Sequence, residues 1–415
     1  MASKLRVDEI VGAQGSTVSI GTATFTGGLS GDITGLNVTG VITATTLNQT
    51  LGAGSSITIG NTVITSTSIG IGTTTTSGRN AGVGTANGSM IFNADTGSLE
   101  IYGDAGWETV KQTNAFTASG GTLDTSSRSG FNIHTFTTPG SFVASGAPKA
   151  CEVLVIGGGG GGGTQHGGGG GAGGFRYSTS LTLSAGTYTI VRGSGGTGGP
   201  NAGGNQPAAD PGTPSYIIAP GIVGFTSITA TAGGGGGSYD SPTTPASGPA
   251  KVIGYPGGSG GGGAGWNPGT VAPAGTGNVG GADPRFSPTN EGFDGGDGSF
   301  VSSNHVGGGG GGASEAGQPY QPNKAGDGGD GLPASISGSD VSYSGGGGGG
   351  NAGPFSTGGT GGTGGGGPGG TPGVPPPAGT PGTANTGGGG GAAGGATHLG
   401  GNGGSGIVII AYSTS

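Results

Sequence analysis

The chain has 415 residues, of which 117 are glycine and 25 are proline, with only 29% apolar and 7% charged. The apolar share is too small for a wide core of interlocked side chains, which argues against an ordinary globular enzyme, and the charge is too sparse for a tail held open by repulsion. Formal charge is −8 and the 11 lysines and arginines stand singly, so neither nucleic acid nor an anionic membrane surface is an expected partner.

The opening Met-Ala-Ser-Lys-Leu-Arg-Val-Asp-Glu-Ile has charges where a secretory signal needs an unbroken apolar run, and no later run has the length that spans a bilayer. The expectation is a protein with neither a signal peptide nor membrane insertion; one route to the outside for such a chain is assembly in the cytoplasm followed by lysis. The single cysteine, Cys151, starts an apolar run and reads as a small buried hydrophobe.

Composition shifts near residue 112. Before it, Thr, Ser, Ile and Val with glycine at short intervals spell short strands and tight turns, with no helical period. Residues 27–46 carry a loose Gly-Asx/Leu-x-Thr-Gly phrase, and Ile57, Ile59, Val63, Ile69 and Ile71 share one parity. Ribbons this narrow cannot cover their own apolar face, so the economical solution is several identical chains wound around one axis. Residues 88–111 then predict an antiparallel meander of Met90 to Asn93, Ser98 to Tyr102 and Trp107 to Lys111, with Phe92, Tyr102 and Trp107 as its hydrophobic plug.

The opening Ser3 to Ile10, the phrase Gly31-Asp32-Ile33-Thr34-Gly35 with Gly40 to Thr45, and the meander Phe92 to Tyr102 with Trp107 resemble tail-fibre and related structural proteins of tailed, particularly marine, phages. The resemblance implies a virion-attached homotrimeric fibre whose N-terminus meets a tail or baseplate protein. The corresponding division is residues 1–50 for virion attachment and a β-repeat stalk, 51–112 for a β-rich stalk ending in the meander, 113–150 for a connector with short strands, and 151–412 for a glycine-rich domain.

In the second half, Phe131 to Val143 reads as two strands around Thr138-Pro139-Gly140. Cys151 to Ile156 is a strong strand running straight into glycine, mirrored at the far end by Gly406 to Tyr412; such apolar runs suit strands covered on both faces, and these two are expected to share a sheet. Between them lie glycine runs at 157–163, 167–171, 233–237, 260–263, 307–312, 345–350, 364–367 and 387–391, without the strict triplet of collagen. The ordered form open to them is the extended left-handed helix with three residues per turn, packed side by side so that backbones bond laterally. The framing strands and the phrases 167–177, 183–191 and 404–410 resemble the glycine-rich domains of phage adhesins and fibre tips, in which packed polyglycine II helices carry receptor-binding loops.

The fold class expected is therefore all-β and irregular: an intertwined β-rich stalk with a small meander, then packed polyglycine II helices framed by strands. Aromatic residues on loops over a rigid base suit recognition of polysaccharide or protein, and Tyr239, Tyr255, Trp266, Phe286, Phe293, Phe300 and Tyr320 are the candidate receptor-binding residues. The receptor would be a host surface polysaccharide or outer-membrane protein. Gly257 to Gly261 matches a GxSxG pattern by chance, and the four histidines His134, His166, His305 and His398 show no metal spacing. Asp294/Asp297 and Asp327/Asp330 faintly resemble calcium-binding repeats, but solvated loops are the simpler reading. No catalytic constellation stands out, so no enzyme activity, cofactor or metal is expected. The alternative function is a glycine-rich structural protein self-assembling into an extracellular filament or coat; an ice-binding bundle is a weaker third.

Overall fold

A computed structural model describes residues 56–59, 62–65, 69–83, 85–110, 115–200, 207–239, 251–265, 270–301, 304–353, 357–372, 378–395 and 398–414. The phrases within residues 1–50 and Trp266 lie outside them. The chain divides into two compact units, Met1–Lys111 and Gln112–Ser415.

In the first unit, β1 (Ser56–Ile59), β2 (Thr62–Thr65) and β3 (Ile69–Gly70) form an antiparallel sheet in that order. Its register corrects the single-parity reading: Ile57 lies opposite Ile64 and Ile64 opposite Ile69, whereas Val63 lies opposite Thr58. A hairpin closed by two residues exchanges odd for even positions, so parity along the chain does not carry across the turn.

Next come β4 (Thr73–Thr74), a short helix α1 (Thr76–Gly82) absent from the sequence reading, β5 (Met90–Asn93), β6 (Ser98–Gly103) and β7 (Gly106–Thr109). The Thr75 hydroxyl starts α1 by accepting the Gly78 N–H, a local capping signal that needs no long apolar stripe. Strands β4 to β7 form a four-stranded sheet in chain order, which is the expected meander with an added parallel edge. One face holds Asn93 and Glu100, both buried, with Arg79 of α1 bonded to Glu100 at 2.7 Å and Asn93 Nδ2 donating to Glu100 Oε1 at 2.9 Å. Tyr102 and Trp107 meet edge to face on this side, at 5.4 Å. Phe92 does not join them, because Phe92 alternates with the buried Ile91 and Asn93 and stands 41% exposed on the other face.

The second unit opens with β8 (Thr117–Ser119), β9 (Thr122–Asp124), β10 (Phe131–Phe136), β11 (Gly140–Ser145), β12 (Lys149–Ile156), β13 (Phe175–Leu183), β14 (Gly186–Val191), β15 (Ser215–Ile218) and β16 (Ile228–Ala230). Further on come β17 (Val271–Ala272), β18 (Gly298–Val301), β19 (Asn304–Val306), β20 (Leu332–Ala334), β21 (Val341–Tyr343) and β22 (Ile407–Ser413). Two five-stranded sheets result, β13-β12-β22-β10-β9 and β16-β15-β14-β11-β8. Residues 117–150 thus supply β8 to β11 and the start of β12, strands of both sheets.

Consecutive strands β8/β9, β10/β11 and β13/β14 fall in opposite sheets, so the chain repeatedly turns a corner between them. At the first corner Gly120 has φ +115°, and a Cβ there would lie 1.9 Å from the Ser141 carbonyl oxygen. Val153, Val155, Val408 and Ile410 of one sheet face Phe142, Tyr188, Ile190 and Ile228 of the other. The expected pairing of the two strongest strands is present: β12 and β22 run antiparallel, Val155 opposite Val408. Leu154, Ile156, Ile407 and Ile409 point the other way and are covered by Ala334, Ile336 and Tyr343 at the β20–β21 hairpin. Burial on both faces is why these runs show no polar alternation.

Glycine segments project from one end of this sandwich as an array of laterally bonded extended helices. Residues 157, 160 and 163 donate N–H bonds to the carbonyls of 174, 171 and 168; residues 158 and 161 to 213 and 210; residues 159 and 162 to 404 and 401. The same segment accepts at 158 and 161 from 233 and 236, at 159 and 162 from 196 and 199, and at 160 and 163 from 390 and 393. A partner that recurs every third residue is the signature of a threefold helix, and partners in rotation on all sides make hexagonal packing.

Segment 168–174 is enclosed in the same way by 157–163, 231–237, 259–262, 308–311, 347–350 and 387–390. The Cα hydrogens point at neighbouring carbonyls, since a Cβ on Gly160 would stand 2.1 Å from Gly234 O and one on Gly169 2.0 Å from Gly347 O. A net N–H···O bond contributes roughly 1 kcal/mol and a Cα–H···O contact about 0.5–1, against about 1–2 for ordering a residue's backbone. The margin per residue is near zero, so only segments enclosed on all sides hold together.

Candidate functional site

Segment 157–163 leaves β12 and 168–174 returns into β13, so the turn between them marks the bundle end away from the sheets. Gln165 and His166 make that turn with φ of 48° and 62°. The His166 N–H donates to Ala393 O at 3.0 Å, its carbonyl accepts from Gly265 N–H at 2.9 Å, and its Nδ1 accepts from Gly395 N–H at 3.2 Å. An accepting Nδ1 places the ring proton of the neutral imidazole on Nε2.

His166 stacks on His305 of β19, with ring centroids 5.5 Å apart and planes 14° from parallel. Tyr239 meets both rings edge on, at 5.7 Å from His166 and 4.8 Å from His305, and Phe300 of β18 meets His305 at 4.6 Å. Burial, with the His305 charge as a lesser cause, pushes His166 down to about 3, so its ring is neutral at physiological pH. Thr164 N–H bonds to Ser238 Oγ at 3.1 Å and the Thr164 hydroxyl donates to His398 O, tying the ends of further segments to the same turn. The arrangement offers aromatic stacking faces on a bonded backbone floor, which equips it for binding. Among the described residues, no group of three or more His, Cys, Asp or Glu could hold a metal ion.

The sequence-predicted aromatics separate by position. Tyr239 and Phe300 belong to this cluster. Tyr320 lies at the same end, its N–H bonded to Asp297 O at 2.9 Å just before β18. Tyr255 sits on the flank about one helical turn back, since its carbonyl accepts from Gly261 and that of Val252 from Ala264. Two belong to the sheet end. Phe286 is 3% exposed in the sandwich core beside the guanidinium groups of Arg176 and Arg285, so its faces are already occupied. Phe293, 41% exposed, lines a cleft with Pro288, Ala313 and Leu332. The sequence reading missed His166 and His305. Tracing successive glycine segments alternately away from and toward the sheets would have assigned them to one end.

The paired aspartates have a backbone role. Asp294 and Asp297 accept N–H bonds from Gly277 at 2.7 Å and Ala274 at 2.9 Å; Asp327 and Asp330 accept from Thr360 and Thr363, each at 2.7 Å. Their spacing equals the helical period, so each carboxylate replaces a missing carbonyl at the same face of its segment. Near the sheets, Arg176 and Glu291 form a buried ion pair at 3.0 Å, with Glu291 Oε1 also accepting Thr231 N–H and Arg176 Nη2 donating to Gly281 O at 2.7 Å.

The framing strands, the glycine array and its closing strand coincide with a family model for a glycine-rich domain, matched over residues 137–413. The chain belongs to this glycine-rich domain family. The sequence matches no curated protein. Among the described residues of this glycine-rich domain, side chains that recognition could use are concentrated where the glycine segments reverse, because those segments themselves have nearly none.

Proposed function

We propose that the protein is a tail-fibre or adhesin component of a tailed phage, which binds a host-surface polysaccharide or outer-membrane protein through the distal loops of its glycine-rich domain. The carrying observation is the convergence of Tyr239, Phe300, His166 and His305 at the bundle end remote from the sheets. The resemblance of residues 3–10, 31–45 and 92–107 to phage fibre proteins supports the virion setting, and a homotrimer attached through its N-terminus would multiply a modest affinity.

The test is binding of labelled full-length protein to a panel of bacterial cells. Tyr239→Ser combined with Tyr320→Ser should lower binding to a susceptible strain at least tenfold with the melting temperature unchanged, whereas Phe293→Ser at the opposite end should not. Equal binding by all three proteins would refute the distal site.

A further inference from the structure

The glycine array is unfinished on one flank. Segment 291–297 bonds laterally to 275 through the Gly295 N–H and to 309 through the Gly296 N–H. Its carbonyls at 293 and 296 accept from 260 and 263, and those at 294 and 297 from 317 and 320. The side left over is a groove lined by Ala274, Thr276, Asp294, Asp297, Gly317 and Pro319. The N–H groups of Asp294 and Asp297 and the carbonyls of Gly292 and Gly295 make no hydrogen bond among the described residues, whereas every N–H of 157–163 is bonded. The open groups recur every third residue, as on a threefold helix whose next neighbour is missing. Such a row is a template for one more chain, as an unpaired sheet edge is.

The groove also has a charge pattern. Asp294 and Asp297 stand one helical turn, about 9 Å, apart, and each uses Oδ1 to accept one neighbouring N–H. Asp327 shows what such a carboxylate takes on its second oxygen: Oδ1 accepts the Thr360 N–H, and Oδ2 accepts from the Lys324 ammonium at 2.5 Å. Among the described residues no Lys, Arg or His pairs with Asp294 or Asp297, so two uncompensated negative charges line the groove. A second copy of this chain does not match the pattern, because no two of its 11 lysines and arginines stand three residues apart.

We infer that the groove is a docking site for another protein, through a glycine- or proline-rich segment in the same left-handed threefold helix with lysine or arginine at every third position. Backbone bonds to the open groups hold the segment lengthwise, and its cations, one turn apart, meet the two Oδ2 atoms. A segment of this kind is extended before it binds, so little chain entropy is lost on docking. This inference stands apart from receptor binding and survives if that reading fails.

The experiment is fluorescence anisotropy of labelled peptides with the full-length protein at low salt: four repeats of Gly-Gly-Lys, the same composition with its lysines adjacent, and four repeats of Gly-Gly-Glu. The first should bind about tenfold more tightly than the second, and the third should not bind. Asp294→Asn with Asp297→Asn, which keeps the Oδ1 acceptors, should weaken binding of the first peptide about tenfold. Asp327→Asn, whose carboxylate already holds Lys324, should leave it unchanged. In the native protein the bound peptide should slow amide exchange at Asp294 and Asp297, a readout that does not depend on how the variants fold. Equal affinity for the two lysine peptides would reduce the effect to net charge and overturn the inference, as would no binding at all or no added protection at Asp294 and Asp297.

Discussion

His166 and His305 stack at 5.5 Å although they belong to a turn and a strand far apart in the chain, and the pair forms the floor on which Tyr239 and Phe300 stand. His166 resists protonation because burial removes the water an imidazolium needs, and the His305 ring adds repulsion.

This gives a pH dependence with a definite sign. The folded pKa of His166, about 3, lies below the ordinary histidine value near 6.5, so between those limits the unfolded chain binds a proton that the folded one refuses. Its contribution is complete above about pH 6.5 and declines as pH falls, by about 2 kcal/mol between pH 6.5 and 5. Burial shifts His134 in the same direction, so both histidines add to the slope. Calorimetry at pH 7 and pH 5 should show a fall in melting temperature that is smaller for His166→Gln; an identical fall would exclude this origin.

Glycine is obligatory inside the array. Gly169→Ala places a methyl 2.0 Å from the Gly347 oxygen in a segment enclosed on all sides, and the bundle should lose at least about 3 kcal/mol or fail to fold. Gly221→Ala meets nothing within 4 Å and should stay within about 0.5 kcal/mol. Urea unfolding of both variants separates lattice geometry from a general effect of glycine loss.

Carboxylates at the lattice edge act as acceptors. Asp297→Ala leaves the Ala274 N–H without its bond and should speed amide exchange there, at a cost of about 1 kcal/mol; Asp297→Asn, which keeps an oxygen, should protect better. Equal exchange in the two variants would show that the bond contributes nothing.

Removing one member of the buried ion pair strands the other. Arg176→Ala should destabilise the second unit by about 3–5 kcal/mol, and a joint Arg176→Met, Glu291→Leu replacement by much less. A double-mutant cycle in thermal unfolding measures the difference.

The strands were legible because Val153 to Ile156 and Ile407 to Tyr412 are continuous apolar runs, and a run of that kind signals cover on both sides. The threefold helices were legible from glycine tracts bracketed by such strands. Which segment touches which was not: partners such as 157 with 174 and 159 with 404 are assigned by backbone bonds that no side chain advertises. The same blindness explains the candidate site. Phe286 and Tyr239 look alike as loop aromatics, but one packs into the sandwich and the other stands at the far end, because loops alternate between ends. Phe92 failed as part of the plug for a different reason: the carboxylate and amide of Glu100 and Asn93 claimed the covered face.

Three residues per turn impose a reading frame on the glycine array. Adding one residue within 157–163 would rotate everything after it by about 120°, turning donors toward the wrong neighbour, whereas adding three would lengthen the segment by about 9 Å with every partner direction kept. Loops at the reversals obey no such frame. Length changes between relatives should therefore come in threes within segments and in any number at the ends, so the distal surface can be rewritten while the scaffold beneath it stays the same.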